Sequence, residues 1–144
     1  MGTPRENLER VITVKAETAS LAEVRRFVEE VATEAALHVE RVFDLKVAVS
    51  EASANAVEHA GCNMALLEVR ARLQPRRLTF IVTSTGRFRP PSPQREISNN
   101  RGLGMPLMVA LMDEVSFARA PGGCTTVSLS VLLGQNAAVP ARLT

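Results

Sequence analysis

The stretch from Phe43 to Ala60, FDLKVAVSEASANAVEHA, constrains the fold more than any other part of the chain. No Gly or Pro interrupts it, and Ala recurs at 48, 52, 54, 56 and 60, so intrinsic propensity favours one helix. At about 100° per residue, Leu45, Ala48, Val49, Ala52 and Ala56 form an apolar stripe. Asp44, Glu51, Asn55 and Glu58 form a second stripe along its edge, and His59 sits between the two. Such an edge lies at the rim of a core, where polar groups are either solvated or used by a ligand.

Composition narrows what that helix belongs to. At 144 residues the chain is expected to be one domain with a real core, residues 9–133, with flexible tails at 1–8 and 134–144. A hydrophobic fraction of 46% and a charged fraction of 22% are those of an ordinary globule. The N-terminus, MGTPRENLER, lacks an apolar signal region and no apolar run is long enough to span a bilayer. The expected location is therefore the cytoplasm, with no membrane partner. Net charge is only +2 and there is no Trp or Tyr, which argues against direct nucleic-acid binding. Cys62 and Cys124 have no nearby metal-ligand pattern and read as free thiols in a reducing compartment.

Periodicity divides the rest into short elements. Glu9 to Glu17 alternates as a strand, with Ile12, Val14 and Ala16 on one face. Ser20-Leu-Ala-Glu23 reads as a capping box opening a helix, and Val24, Phe27, Val28, Val31 and Ala35 carry helical spacing to about Leu37. After the central helix, which is expected to stop near Gly61, two strands are joined by the turn Gln74-Pro-Arg76. Leu67, Val69, Ala71 and Leu73 share one face of the first; Leu78, Phe80 and Val82 share one face of the second. The period of two puts Ser84 on the same face as Phe80 and Val82. Residues 85–101 form a long loop with three prolines, of a length that is usually disordered or functional. Met105 to Met112 reads as a helix with Pro106 in its first turn. Val115 and Phe117, a turn at Pro121-Gly-Gly123, and Val127, Leu129 and Val131 complete two more strands. The order β-α-α-β-β-loop-α-β-β predicts an α+β two-layer sandwich, a mixed or antiparallel sheet with helices on one face.

Two motifs carry the chemistry. Glu51, Asn55 and His59 at i, i+4 and i+8 give E-x-x-x-N-A-x-x-H-A. An amide oxygen at Asn55 can ligate Mg2+, a hard cation that takes oxygen ligands alongside phosphates. A carboxylate one turn earlier, at Glu51, can accept a proton from an attacking hydroxyl or water. The second motif is Arg101-Gly-Leu-Gly104, directly before a helix start, where glycine backbone amides and the helix terminus favour an anion.

Together, in this order and at this separation, the two motifs resemble the GHKL (Bergerat) ATPase fold of histidine kinases and gyrase-type ATPases. More narrowly they resemble the small anti-sigma factor serine kinases of the stress-response and sporulation type. The resembling parts are Glu51 to Ala60, Arg101-Gly-Leu-Gly-Met-Pro-Leu-Met108, Ala110-Leu-Met-Asp-Glu-Val115 and the closing Gly123-Cys-Thr-Thr-Val127. The loop Gly86-Arg-Phe-Arg-Pro-Pro91 is similar to a branch often fused to PP2C-type phosphatases, so the chain is also expected to suit a longer protein. The resemblance implies ATP and Mg2+ as cofactors, Asn55 as the metal ligand, and Glu51 as the base for a partner's serine hydroxyl. It implies nucleotide contacts from Asn55, His59, Ser84, Gly86, Arg101, Gly102, Leu103, Gly104, Met105 and Thr125, under a lid at Phe88 to Arg101. It also implies an alternative sigma factor and a STAS-domain antagonist as partners of a homodimer.

One position departs from that pattern. The family's first glycine box reads V-x-D-x-G, its Asp accepting from the adenine amino group, whereas here Val82-Thr-Ser-Thr-Gly86 places Ser84 there. Losing a charge-assisted bond costs about 1.5–3 kcal/mol, roughly tenfold to over a hundredfold in affinity. The alternative reading is therefore a degenerate binding module that regulates transcription by protein contact alone.

Overall fold

The structure, a computed structural model, describes residues 7–58, 66–84, 104–119 and 125–134. Strand β1 (Leu8–Lys15) leads through a short 3-10 turn at Thr18–Ser20 into helices α1 (Leu21–Glu34) and α2 (Val39–Glu58). Strands β2 (Leu66–Gln74) and β3 (Arg77–Ser84) follow, then helix α3 (Gly104–Leu111) and strands β4 (Glu114–Arg119) and β5 (Thr125–Leu132). The sheet order is β1-β2-β3-β5-β4, and every described pairing is antiparallel. The sequence left antiparallel and mixed sheets open; the described strands form the antiparallel one.

The helices cover one face. Helix α1 packs against β1 and α2, while α2 lies over β2, β3 and β5, and α3 lies against α2 and β4. The covered face carries the alternation read from the sequence: Leu67, Val69, Ala71 and Leu73 on β2, with Leu78, Phe80 and Val82 on β3, are all buried. Above them Leu45, Ala48, Val49 and Ala52 of α2 are at most 1% exposed, so the apolar stripe is the buried one. Phe27 of α1 meets Phe80 edge to face, with ring centroids 6.3 Å apart, a geometry that aromatic quadrupoles favour. On the other sheet face, Thr79 and Ser130 are cross-strand partners whose hydroxyls are 2.8 Å apart, so both buried polar groups are satisfied.

Helix boundaries depart from the sequence reading for local reasons. Ser20 does precede α1, but its side chain makes no capping bond. It ends the 3-10 turn in αR backbone (φ −82°, ψ −11°), whereas a capping side chain needs extended backbone at that position. Helix α1 stops at Glu34 rather than near Leu37. Ala36 turns left-handed (φ 64°), its N–H donates to the Thr33 carbonyl, and the Leu37 N–H donates to the Ala32 carbonyl. That pair of bonds is a Schellman stop, here made without glycine. Helix α2 begins four residues earlier than the Phe43 start, because His38 acts as its cap: Nδ1 accepts from the Glu40 N–H at 3.3 Å. The expected stop at Gly61 and the turn at Pro121-Gly-Gly123 lie outside the described residues.

Candidate functional site

The polar margin of α2 is where the sequence placed it. Asp44, Glu51, Asn55 and Glu58 are all partly buried, neither sealed in the core nor fully solvated. Arg41, Asp44, Ala48, Glu51 and Asn55 fall within one narrow arc of the helix at its 3.6-residue period. The lower half of that arc faces α3. Arg41 Nη1 donates to the Leu111 carbonyl at 3.0 Å and to Asp44 Oδ2 at 3.1 Å, and Nη2 donates to Asp113 Oδ2 at 3.0 Å.

That contact sets the direction of α3. Arg41 is the third residue of α2, so almost no α2 lies N-terminal to it. Helix α3 packs against α2 and has its C-terminal carbonyl at Arg41, so it runs from there towards the C-terminal half of α2. Eight residues at about 1.5 Å each make it about 12 Å long, which carries its first residue level with the turn of Ala48 and Glu51. Gly104, the first residue of α3, closes the second motif. Gly104 is thus brought towards the half of α2 that carries Glu51 and Asn55.

Ser84 comes from below. It ends β3, opposite Leu67 in register, and only 4% of it is exposed. It lies on the face that α2 covers, with Phe80 and Val82, as the period of two requires. Met105 is the second residue of α3 and Thr125 the first of β5. His59, Gly86, Arg101, Gly102, Leu103 and the lid at Phe88 to Arg101 lie outside the described residues. The sequence reading missed Arg41 and Asp113. Starting the helix at Phe43 left Arg41 outside it, and nothing in the local pattern pairs two residues so far apart in the chain.

Comparison with known proteins matches residues 14–131 to the histidine kinase-like ATPase domain. The chain belongs to that family. This domain is 29% identical over 107 residues to an anti-sigma F factor of Caldanaerobacter subterraneus subsp. tengcongensis, covering 68% of this chain and 75% of that protein. The relative bears out the resemblance to anti-sigma factor serine kinases drawn from the two motifs. Among solved structures, the fold matches the crystal structure of the RsbU and RsbW domains of a Mycobacterium tuberculosis protein. That match has a TM-score of 0.67 and 23% identity, over 87% of this chain. The chain spans 32% of the length of that solved chain. Among the described residues of this ATPase domain, no helix is long and apolar enough to cross a membrane.

The donors present suit the nucleotide that the family name implies. Asn55 offers a neutral amide oxygen on a half-buried edge, and a metal that keeps waters and phosphate oxygens needs few protein ligands. Glu51 stands one turn away on the same edge, and the glycine end of α3 stands opposite with helix amides that favour an anion.

Proposed function

We propose that this histidine kinase-like ATPase domain is an anti-sigma factor with ATP-dependent protein serine kinase activity. Its substrate is a serine of a STAS-type anti-sigma factor antagonist, and it sequesters a sigma factor as a homodimer in the cytoplasm. The observation that carries this reading is the shared edge of α2. Glu51 and Asn55 are partly buried on it, one turn apart, level with the glycine end of α3. When bound, Mg-ATP supplies the phosphoryl group. Asn55 would hold the metal, Glu51 would take the proton from the partner's serine hydroxyl, and the amides of Gly102, Leu103 and Gly104 would hold phosphate. Val39 and Phe43, one turn apart on α2 and 71% and 64% exposed, supply apolar surface for a protein partner.

A second reading rests on Ser84. A buried hydroxyl where the family pattern has a carboxylate favours a binding module with weak or no nucleotide affinity. Calorimetry with Mg-ATP on the purified protein separates the two. Saturable binding, followed by ATP-dependent phosphate transfer to a STAS protein, supports the kinase. Copurification of a sigma factor with no heat of nucleotide binding supports the binding module.

A further inference from the structure

Arg41 sits at a junction of three elements. Its guanidinium holds the last carbonyl of α3 (Leu111, 3.0 Å), the Asp44 carboxylate on its own helix (3.1 Å) and the Asp113 carboxylate just beyond α3 (3.0 Å). Asp113 Oδ2 accepts in turn from the Leu132 N–H of β5 at 2.6 Å, and the Asp113 N–H donates to the Ser130 carbonyl at 3.0 Å. One cation therefore ties the exit of α3 to α2 directly, and to the end of β5 through one carboxylate. Guanidinium suits this role because its planar fork serves several acceptors at once, which an ammonium cannot do in the same geometry.

Helix α3 needs such a tie. It is eight residues long, too short to be stable by itself, and contains no charged side chain. Among the residues from Pro106 to Met112, Met108 and Met112 are buried and Leu111 is partly buried, while Pro106, Leu107, Val109 and Ala110 face outward. The Leu111 carbonyl has no donor within the helix, and a cation there also complements the helix dipole. At the other end of the same helix lies Gly104.

We propose that Arg41 is a positioning residue for the nucleotide site: by fixing the C-terminal end of α3, it sets where Gly104, about 12 Å away at the other end, stands relative to the Glu51–Asn55 edge. The inference rests on the nucleotide-binding reading above. Among the described residues Arg41 bonds to neither motif; it acts through α3.

The test compares the full chain with Arg41→Met, Arg41→Lys and the control Arg10→Met. The control breaks an exposed ion pair between β1 and α1, at Glu34, far from α3. Mg-ATP affinity is measured by calorimetry well below the thermal transition, and amide exchange of α3 is measured without nucleotide. Arg41→Met is expected to weaken Mg-ATP about five- to tenfold and to speed exchange across α3. Arg41→Lys, which keeps the charge and reaches fewer acceptors, is expected to fall between, and Arg10→Met to match wild type in both. Wild-type affinity in Arg41→Met overturns the proposal even if its melting temperature falls, because a merely structural role predicts that pattern. Lost affinity with unchanged α3 exchange also overturns it, since the effect then does not pass through the helix. Wild-type protein that binds no Mg-ATP overturns the nucleotide reading itself. In that case faster α3 exchange in Arg41→Met still supports the anchoring of α3, and unchanged exchange overturns it.

Discussion

Ser84 of β3 stands directly opposite Leu67 of β2, with 4% of its surface exposed, on the sheet face that α2 covers. A side chain there is directed into the layer between sheet and helix, which is where a carboxylate in the same position would point. Ser84→Asp is therefore expected to tighten Mg-ATP binding by tenfold or more, because it restores a charge-assisted acceptor. Burial sets a cost on the same substitution: without nucleotide, an unpaired carboxylate at this site lowers stability. Calorimetry and a melt with and without Mg-ATP read both effects. Equal or weaker affinity in the variant would show that Ser84 does not occupy the adenine contact.

Glu51 and Asn55 share the edge of α2 but differ in chemistry, so their variants should fail differently. Glu51→Gln keeps shape and polarity and removes the proton acceptor. It is expected to lower phosphate transfer to a STAS partner at least a hundredfold while leaving Mg-ATP affinity nearly unchanged. Asn55→Ala removes the metal ligand and is expected to weaken Mg-ATP itself, with little change in affinity for ATP in EDTA. Transfer that survives in Glu51→Gln would remove that residue from its role.

Most of the architecture was legible because two periodicities ran through long segments. Alternation in β2 and β3 and the stripe on α2 are dictated by burial, and burial is what sequence pattern records. The same logic placed Ser84 inward and left Asp44, Glu51 and Asn55 at the rim. What escaped was chemistry made between distant residues or against local preference. Arg41 and Asp113 meet only because α3 lies against α2. His38 is not among the usual helix caps, so the start of α2 gave no signal at its true position. Ala36 hid the end of α1, since alanine ordinarily continues a helix.

Ala36 has a φ of 64° in the Schellman stop of α1, a conformation that costs a residue with a Cβ about 1–2 kcal/mol. Glycine removes the clash, and its greater freedom in the unfolded chain takes back about 0.5–1 kcal/mol. Ala36→Gly is thus expected to stabilise the protein by about 0.5–1 kcal/mol and raise its melting temperature by about 2–4 °C. A drop in the melting temperature would mean that the Ala36 methyl contributes packing worth more than the strain.

Ser53 sets the opposite case, a side chain whose chemistry its surroundings do not use. It lies in the C-terminal half of α2 with no exposed surface, and its hydroxyl finds no hydrogen-bond partner among the described residues. A buried hydroxyl without a partner costs about 1–3 kcal/mol relative to one that is bonded. Alanine removes that oxygen, leaves a void no larger than one atom, and has the higher helix propensity by about 0.5 kcal/mol. Ser53→Ala is therefore expected to raise stability by about 1 kcal/mol, seen as a higher urea midpoint with an unchanged slope. Asn55 and Glu51 point elsewhere on the helix, so Mg-ATP affinity should not move. If the variant is less stable instead, the Ser53 hydroxyl has a partner in the segments outside the described residues. Repeating the melt with saturating Mg-ATP then shows whether that partner is organised by the nucleotide: the loss from Ser53→Ala would grow in its presence.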